Sequence, residues 1–261
     1  MAAKWFLGVW MILVILGAFF YAPASLGLGQ ISRIIFFHIP TAWVTVLAFL
    51  MCAIYSLRYL KKRQPGDDMA ASVSAELGFL FCIIATVSGS IFAKATWGSY
   101  WNWDPRETSI FVLLLIYGAY FALRTSVDEP ERRGSLSAVY ALLAFVTVPI
   151  LVFVVPRIPA VQSLHPSESV VSTGGEFTMD GRMLTVLLAS LAGFTGVLAW
   201  VFSLRMRSAR LLGTIPQRRR IKAVNEATAI YTAASVAVVT WVALFGYLMR
   251  IDRAIRRLED K

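Results

Sequence analysis

The chain has 261 residues, of which 58% are hydrophobic and 15% are charged, and its mean hydropathy is +0.68. An ordinary soluble domain has about 25% charged residues, so this composition excludes a disordered chain, a fibrous repeat and a typical cytosolic enzyme. The net charge of +10 comes from 25 basic and 15 acidic residues, but the basic residues cluster between long apolar runs. That distribution is typical of membrane-protein loops, and we expect no nucleic-acid partner.

Seven apolar stretches approach the roughly 20 residues that a helix needs to cross the hydrocarbon core of a bilayer. The first lacks a clean cleavage site and keeps bulky aromatic residues to its end, so we interpret it as a retained span. The fourth is short, although its helix could extend back to Pro105. The stretches run about Trp5–Ala22, Ile34–Leu57, Val73–Ala95, Ser109–Leu123, Ala138–Pro156, Met183–Leu204 and Ala227–Met249.

These stretches predict an all-α polytopic membrane protein in two parts. Residues 1–210 are expected to form a six-span helical bundle. Residues 211–261 would add a basic linker and one additional C-terminal apolar helix with a charged tail. Cys52 and Cys82 both lie inside apolar runs without partner spacing, so neither a disulfide framework nor a Cys-x-x-Cys site is indicated.

Basic residues are distributed unequally between the two sides of the predicted spans. Because cytoplasmic loops carry an excess of Lys and Arg, the richer side is expected to be cytoplasmic and to include the N-terminus. That side carries fifteen: Lys4, Arg58, Lys61, Lys62, Arg63, Arg124, Arg132, Arg133, Arg205, Arg207, Arg210, Arg218, Arg219, Arg220 and Lys222. The outer side carries five: Arg33, Lys94, Arg106, Arg157 and Arg182. A seventh span would place the basic tail after Met249 on the outer side, against this rule. The last helix therefore either crosses the membrane in spite of the rule or lies along the interface.

Both histidines of the chain fall on the outer side. His38 lies at the outer end of the second span, and His165 lies in the outer segment Arg157–Gly181. Histidine tolerates membrane interfaces well, so one interpretation is a polar ring at a helix end and an unrelated loop residue. The other is a shared site on the outer face.

The outer segment between the third and fourth spans is rich in tryptophan. It runs from Trp97 to Thr108 and holds three of the eight tryptophans within seven residues. In a helical turn, Trp97, Tyr100, Trp101 and Asp104 would share one face. A flat aromatic shelf of this kind suits a large planar apolar ligand, and the alternative is an aromatic belt at the headgroup level.

The end of this segment carries a helix-start signature. Asp104 is suited to the N-cap, Pro105 to the first helical position, and Glu107 follows the cap by three residues. We therefore expect the fourth span to begin here. Asp104 could also hold the aromatic shelf at a fixed angle to the helix.

Three stretches resemble the CcmC family of haem-handling proteins in cytochrome c maturation. The outer segment resembles the family's signature, roughly W-G-x-[WY]-W-x-W-D-x-[RK]-x-T, at Trp97, Gly98, Tyr100, Trp101, Trp103, Asp104, Arg106 and Thr108. Residues 37–43 resemble its His-x-Pro-x-Ala-Trp element, and residues 163–165 resemble its outer-loop histidine. Around that histidine, Val161 stands where Trp is common and Pro166 where Gln is common. The resemblance covers about residues 1–210.

The resemblance implies non-covalent haem b at the outer surface. His38 and His165 would ligate the iron from its two sides, with Met179 as an alternative ligand in the same outer segment as His165. The four aromatic residues of the shelf, Trp97, Tyr100, Trp101 and Trp103, would bury the porphyrin, with Gly98 among them and Asp104 at their end. Arg33 and Arg106 are the preferred partners of the haem propionates.

The family also implies partners and a location. Its members present haem to the haem chaperone CcmE in the bacterial inner membrane, together with the ABC-type proteins CcmA and CcmB and the small protein CcmD. The tail after residue 211 is reminiscent of a fused CcmD. The chain has no GxxxxGK[ST] motif, so haem transfer here would proceed without its own ATPase, and no catalytic residue is assigned.

Three alternatives remain from the sequence. A CcsA-like haem exporter and cytochrome c synthase component is suggested by Pro105 and Glu107, but would need further histidines. A bis-histidine b-type cytochrome would place its ligands within facing helices. A polytopic transporter would more often carry ionisable groups near mid-span, where this chain has few.

Overall fold

The computed structural model describes residues 2–25, 27–158, 163–165 and 179–214. Within these ranges the fold is helical, apart from one isolated bridge between Ser25 and Gly29. The helices are α1 (Ala2–Leu16), α2 (Ile35–Lys62), α3 (Pro65–Trp97), α4 (Pro105–Ser126), α5 (Pro130–Pro149) and α6 (Gly181–Thr214). Short π-helical turns, Gly17–Tyr21 and Ile150–Val154, continue α1 and α5.

Six of the helical segments are long and apolar enough to cross a membrane. The prediction of an all-α polytopic membrane protein with six spans is therefore confirmed. The predicted helix Ala227–Met249 lies outside the described residues. The chain divides into two compact units, Met1–Phe202 and Ser203–Lys261, and only residues 203–214 of the second are described.

Local sequence explains where the helices begin and end. Proline occupies the first turn of α3, α4 and α5, where its missing N–H costs no hydrogen bond. Glu129 caps α5 by accepting from the backbone N–H groups of Glu131 and Arg132. Helix α3 ends at Gly98, whose φ of 82° is a left-handed conformation that favours glycine.

Helices α2, α3, α4 and α5 enclose the core. Its centre is the stack of Phe49 on Tyr117, with ring centroids 3.5 Å apart. Gly78 of α3 lies against this stack, because a Cβ atom there would be only 2.5 Å from the Phe49 ring. Small residues allow this close approach of helices, which is typical of packing inside membranes.

Helix α6 packs against α1 and α2. The Trp10 indole N–H donates to the carbonyl of Ala189 at 2.8 Å, and the Ser190 hydroxyl donates to the carbonyl of Phe36. Side chains of α1 also fill the space that Gly193 and Gly196 leave open on α6. These contacts hold the first and sixth spans beside the start of α2.

Ion pairs define one end of the bundle. The Arg124 guanidinium donates two hydrogen bonds to Asp68, at 2.7 and 2.9 Å, and Arg58 lies 3.2 Å from Asp67. These contacts join the C-terminal ends of α2 and α4 to the N-terminal end of α3. The opposite end therefore holds the start of α2, the end of α3 and the start of α4, with His38 among them.

The contact at Gly78 gives a test of the packing. We expect Gly78→Ala to lower the free energy of unfolding by about 1–3 kcal/mol, because the buried Phe49 ring would be displaced from Tyr117. Gly118→Ala is the matched control, since a Cβ atom at Gly118 meets nothing within 4 Å. Denaturant titration in detergent measures both variants. An equal change in the two would contradict this packing.

Candidate functional site

At this end of the bundle, Asp104 pairs with His165. The Nδ1 atom of His165 lies 2.9 Å from Oδ1 of Asp104, whose side chain has no exposed surface. The other oxygen of Asp104 accepts from the Ser163 hydroxyl at 2.8 Å and from the backbone N–H of Leu164 at 2.6 Å. One carboxylate thus holds the segment Ser163–His165 against the start of α4.

The same carboxylate caps α4. Oδ1 of Asp104 accepts from the backbone N–H of Arg106 at 2.9 Å, and Glu107 accepts from the backbone N–H of Asp104 at 3.3 Å. The Glu107 carboxylate also accepts from the backbone N–H of Asn102 at 2.7 Å. The predicted helix start at Asp104, Pro105 and Glu107 is therefore confirmed as a capping box.

These contacts set the charge of Asp104. Burial by itself raises the pKa of a carboxyl group, but the hydrogen bonds from Arg106, Ser163 and Leu164 hold the pKa of Asp104 below its ordinary value, and a proton on His165 would lower it further. The side chain is therefore an ionised acceptor. Because a carboxylate has no proton to give, Nδ1 of His165 must be the donor, and a neutral ring then presents the lone pair of Nε2.

His38 is held in a similar way by α3. Its Nδ1 atom lies 2.9 Å from the hydroxyl of Ser88, and its Cε1 edge faces Gly89. Arg106 and, when protonated, His165 lie within electrostatic range of the His38 ring. The structure thus brings together the two predicted histidines and Arg106 at one end of the bundle.

Burial keeps His165 neutral. Desolvation lowers the pKa of His165 below its ordinary 6.5, Asp104 opposes that shift, and Arg106 adds to it. The neutral imidazole is the form that coordinates metals, and its second nitrogen is commonly oriented by a carboxylate. The Asp104–His165 pair has this arrangement.

The tryptophan-rich segment departs from the predicted helical turn. Residues 98–104 are not helical, because α3 ends at Gly98 and Trp103 has a φ of 57°. The expected flat shelf is also wrong: the rings of Trp101 and Trp103 meet at 88°, with centroids 5.8 Å apart. Trp103 has its left-handed conformation directly before the α4 cap, and its ring lies edge to face with that of Trp101.

The aromatic residues instead form two neighbouring features. Trp97 packs edge to face on His165, with ring centroids 4.6 Å apart. Trp101 and Trp103 line an apolar groove together with Phe111 of α4. Trp103 is 71% exposed and Tyr100 is 56% exposed, so both present apolar surface at this end of the bundle.

The predicted cations occupy different places. Arg106 follows the α4 cap within electrostatic range of both histidines, whereas Arg33 donates to the carbonyls of Ala18 and Ala22 at the end of α1. Lys94 donates to the carbonyl of Gly98 at 2.7 Å and lies over the Tyr100 ring. Arg182 lies 3.6 Å from Asp180 at the start of α6.

Sequence reasoning missed four residues of this arrangement: Ser88, Gly89, Phe111 and Ser163. Ser88 and Gly89 belong to a short Ser-Gly-Ser run inside an apolar span, which is a signal for close helix contact or for a buried hydrogen bond. Phe111 and Ser163 have no comparable signal. Their roles depend on where α4 begins and on how residues 163–165 meet it.

Fold and site define a multi-pass helical membrane protein with paired imidazoles at one end of its bundle. The family model described as "Heme exporter protein C" (CcmC) matches residues 1–225. The heme exporter protein C of Bradyrhizobium diazoefficiens is 32% identical over 223 residues, covering 85% of this chain and 81% of that protein.

Two further relatives bear the same description. The protein of Rhodobacter capsulatus is 30% identical over 209 residues, covering 78% of this chain and 84% of that protein. The protein of Escherichia coli strain K12 is 30% identical over 194 residues, covering 74% and 76%. The chain therefore belongs to the heme exporter protein C family, as the resemblance predicted.

The charge of Asp104 can be tested through the pKa of His165. We expect Asp104→Asn to lower the His165 pKa further below 6.5, because the carboxylate is the main group that raises it. NMR titration of labelled histidine is well suited, since the chain has two histidines. Asp128→Asn, an exposed residue after α4, is the control. A His165 pKa that stays constant or rises in Asp104→Asn would contradict this electrostatic role.

Proposed function

We propose that the protein binds haem at the outer membrane surface, with His38 and His165 as axial ligands, and delivers it to a CcmE-like haem chaperone. Membership of the family implies a role in haem handling for cytochrome c maturation. The observation that carries the finer proposal is the arrangement of the two histidines. Both use Nδ1 in a hydrogen bond inside the protein, and both lie at one end of the bundle.

The residues present fit haem better than a bare metal ion. Among the described residues, no group of three or more His, Cys, Asp or Glu could hold a metal. Two imidazoles are sufficient for an iron whose other four positions are filled by a porphyrin. When bound, haem supplies that iron together with two propionates and a broad apolar ring.

The chain supplies a surface for each part of that ligand. The groove of Trp101, Trp103 and Phe111 offers apolar area to the porphyrin, and Trp97 supports the His165 ring. Arg106, within electrostatic range of both histidines, is our preferred propionate partner. Arg33 remains a predicted partner, although its guanidinium donates to carbonyls near α1.

The exposed aromatic residues suit a site that transfers its ligand to a second protein. Trp103 and Tyr100 are more than half exposed, so haem held against them would keep one edge accessible to a second protein. We propose that the chaperone docks here, and that CcmA, CcmB and CcmD complete the assembly in the bacterial inner membrane. Residues 211–261 of this chain would themselves supply the CcmD-like part if this tail is a fused CcmD.

The basic residues support an orientation. Arg58, Arg63 and Arg124 lie at the end of the bundle opposite His38, with Asp67, Asp68 and Ser135 as their partners. The positive-inside rule assigns that end to the cytoplasm. The haem site would then face the periplasm, where cytochrome c is assembled.

The first test is the coordination of haem. Purified protein loaded with haem b should give a six-coordinate low-spin absorption spectrum. His38→Gly and His165→Gly should each change that spectrum and weaken haem retention, and added imidazole should restore the bands because only the ring is missing. A bis-histidine electron carrier would show the same spectrum without transferring haem to the apo-chaperone. An unchanged spectrum in His165→Gly would exclude His165 as a ligand and would favour Met179.

The second test concerns the aromatic groove. Trp103→Ala should lower haem retention and transfer, because burial of an indole against a ligand contributes on the order of 3 kcal/mol when it is complete. Trp5→Ala is the matched control, since Trp5 is 77% exposed and Trp103 is 71% exposed. Haem content after detergent extraction measures both. Equal losses in the two variants would assign the cluster to an aromatic belt.

A further inference from the structure

Ser88 of α3 is a hydrogen-bonding partner of the His38 ring. It is only 1% exposed, and its Oγ atom lies 2.9 Å from Nδ1 of His38. The same hydroxyl donates to the carbonyl of Ala85 at 3.1 Å. A hydroxyl has a single proton, and with that proton given to Ala85 the Oγ atom would accept from His38, so that Nδ1 would carry the ring proton.

Gly89 gives the ring its room. A Cβ atom at Gly89 would lie 3.0 Å from Cε1 of His38 and 3.8 Å from both ring nitrogens. A separation of 3.0 Å between carbon atoms is inside the optimum of about 3.5–4.0 Å, so a side chain here would push the imidazole away from α3. The absence of a side chain lets the ring lie directly on the helix.

We propose that Ser88 and Gly89 are the positioning residues of His38. The hydroxyl holds Nδ1–H, the glycine admits the Cε1 edge, and Nε2 is left with its lone pair directed away from the hydrogen bond. The identity of the atom that Nε2 meets, an iron in haem, rests on the proposed function. The tautomer depends on the hydrogen bonds that α3 offers the ring, from Ser88 and from the backbone of Ala85, and can be tested without haem.

The two histidines differ in their partners. His165 donates to the ionised Asp104, whereas His38 donates to a neutral hydroxyl. An anionic acceptor strengthens the hydrogen bond and raises the basicity of the other ring nitrogen. His38 is therefore the weaker of the two ligands and the one that exchanges. When haem is bound, cyanide would replace the His38 imidazole as a ligand through its carbon lone pair, with no change in oxidation state, and the imidazole would leave as a neutral ring.

The first experiment uses haem-free protein and ¹⁵N-labelled histidine in a His165→Gln background, which leaves one histidine signal. The parent should show His38 protonated on Nδ1, and Ser88→Ala should shift the ring to a mixture of tautomers. Ser74→Ala is the control, because Ser74 is also 1% exposed in α3 and donates to a backbone carbonyl, at 2.8 Å. A Ser88→Ala spectrum identical to that of the parent would overturn the proposal.

The second experiment uses protein loaded with haem b and titrated with cyanide. Ser88→Ala should lower the cyanide concentration for half-conversion by about tenfold or more, the usual effect of losing a ligand's hydrogen-bonding partner. Gly89→Ala should lower it as well, because the added Cβ atom would push the ring away from α3. Ser74→Ala and Gly118→Ala should leave it unchanged. Midpoints equal to those controls would refute the positioning role.

Haem retention in the two histidine variants tests which of the two ligands exchanges more readily. His38→Gly should retain haem better than His165→Gly, because the carboxylate-backed ligand remains. The reverse order would refute the weaker role of His38. A wild-type protein that binds no haem would refute the proposed function instead, while the ¹⁵N experiment would still decide the role of Ser88.

Discussion

The buried carboxylate of Asp104 accepts four hydrogen bonds, and the geometry of the site depends on them. One starts α4, two hold residues 163 and 164, and the fourth orients His165. An ionised carboxylate without exposed surface is costly unless its oxygens are satisfied, so the loss of any one donor raises the cost of keeping the charge buried. The helix start and the histidine are therefore coupled, and a change at either affects the other.

Helices α2, α3 and α4 run in alternating directions, and this brings the residues of the site to the same end of the bundle. Arg58 and Arg124 pair with aspartates at the end where α3 begins. The other end collects the start of α2, the end of α3 and the start of α4, which contribute His38, Trp97 and Asp104. Polar groups are concentrated at these ends, where water and neighbouring residues can satisfy them, and the middle of the bundle is filled by aromatic and small residues.

The spans and the α4 cap could be predicted because apolar length and the Asp-Pro-x-Glu spacing act locally. The path of residues 98–104 could not, because Trp103 adopts a left-handed conformation that its residue type does not favour. The Asp104–His165 pair joins residues 61 positions apart, so only the packed structure reveals it. Ser88 was missed for the same reason, since its partner His38 lies on another helix.

A double-mutant cycle on haem retention tests most directly whether Asp104 acts on the proposed haem site through His165. Haem loss would be compared for wild type, Asp104→Ala, His165→Gly and the double variant. Coupling through His165 requires that Asp104→Ala weaken retention clearly in wild type and have little further effect once His165 is absent. An equal additional loss in both backgrounds would contradict the account and make Asp104 only the cap of α4.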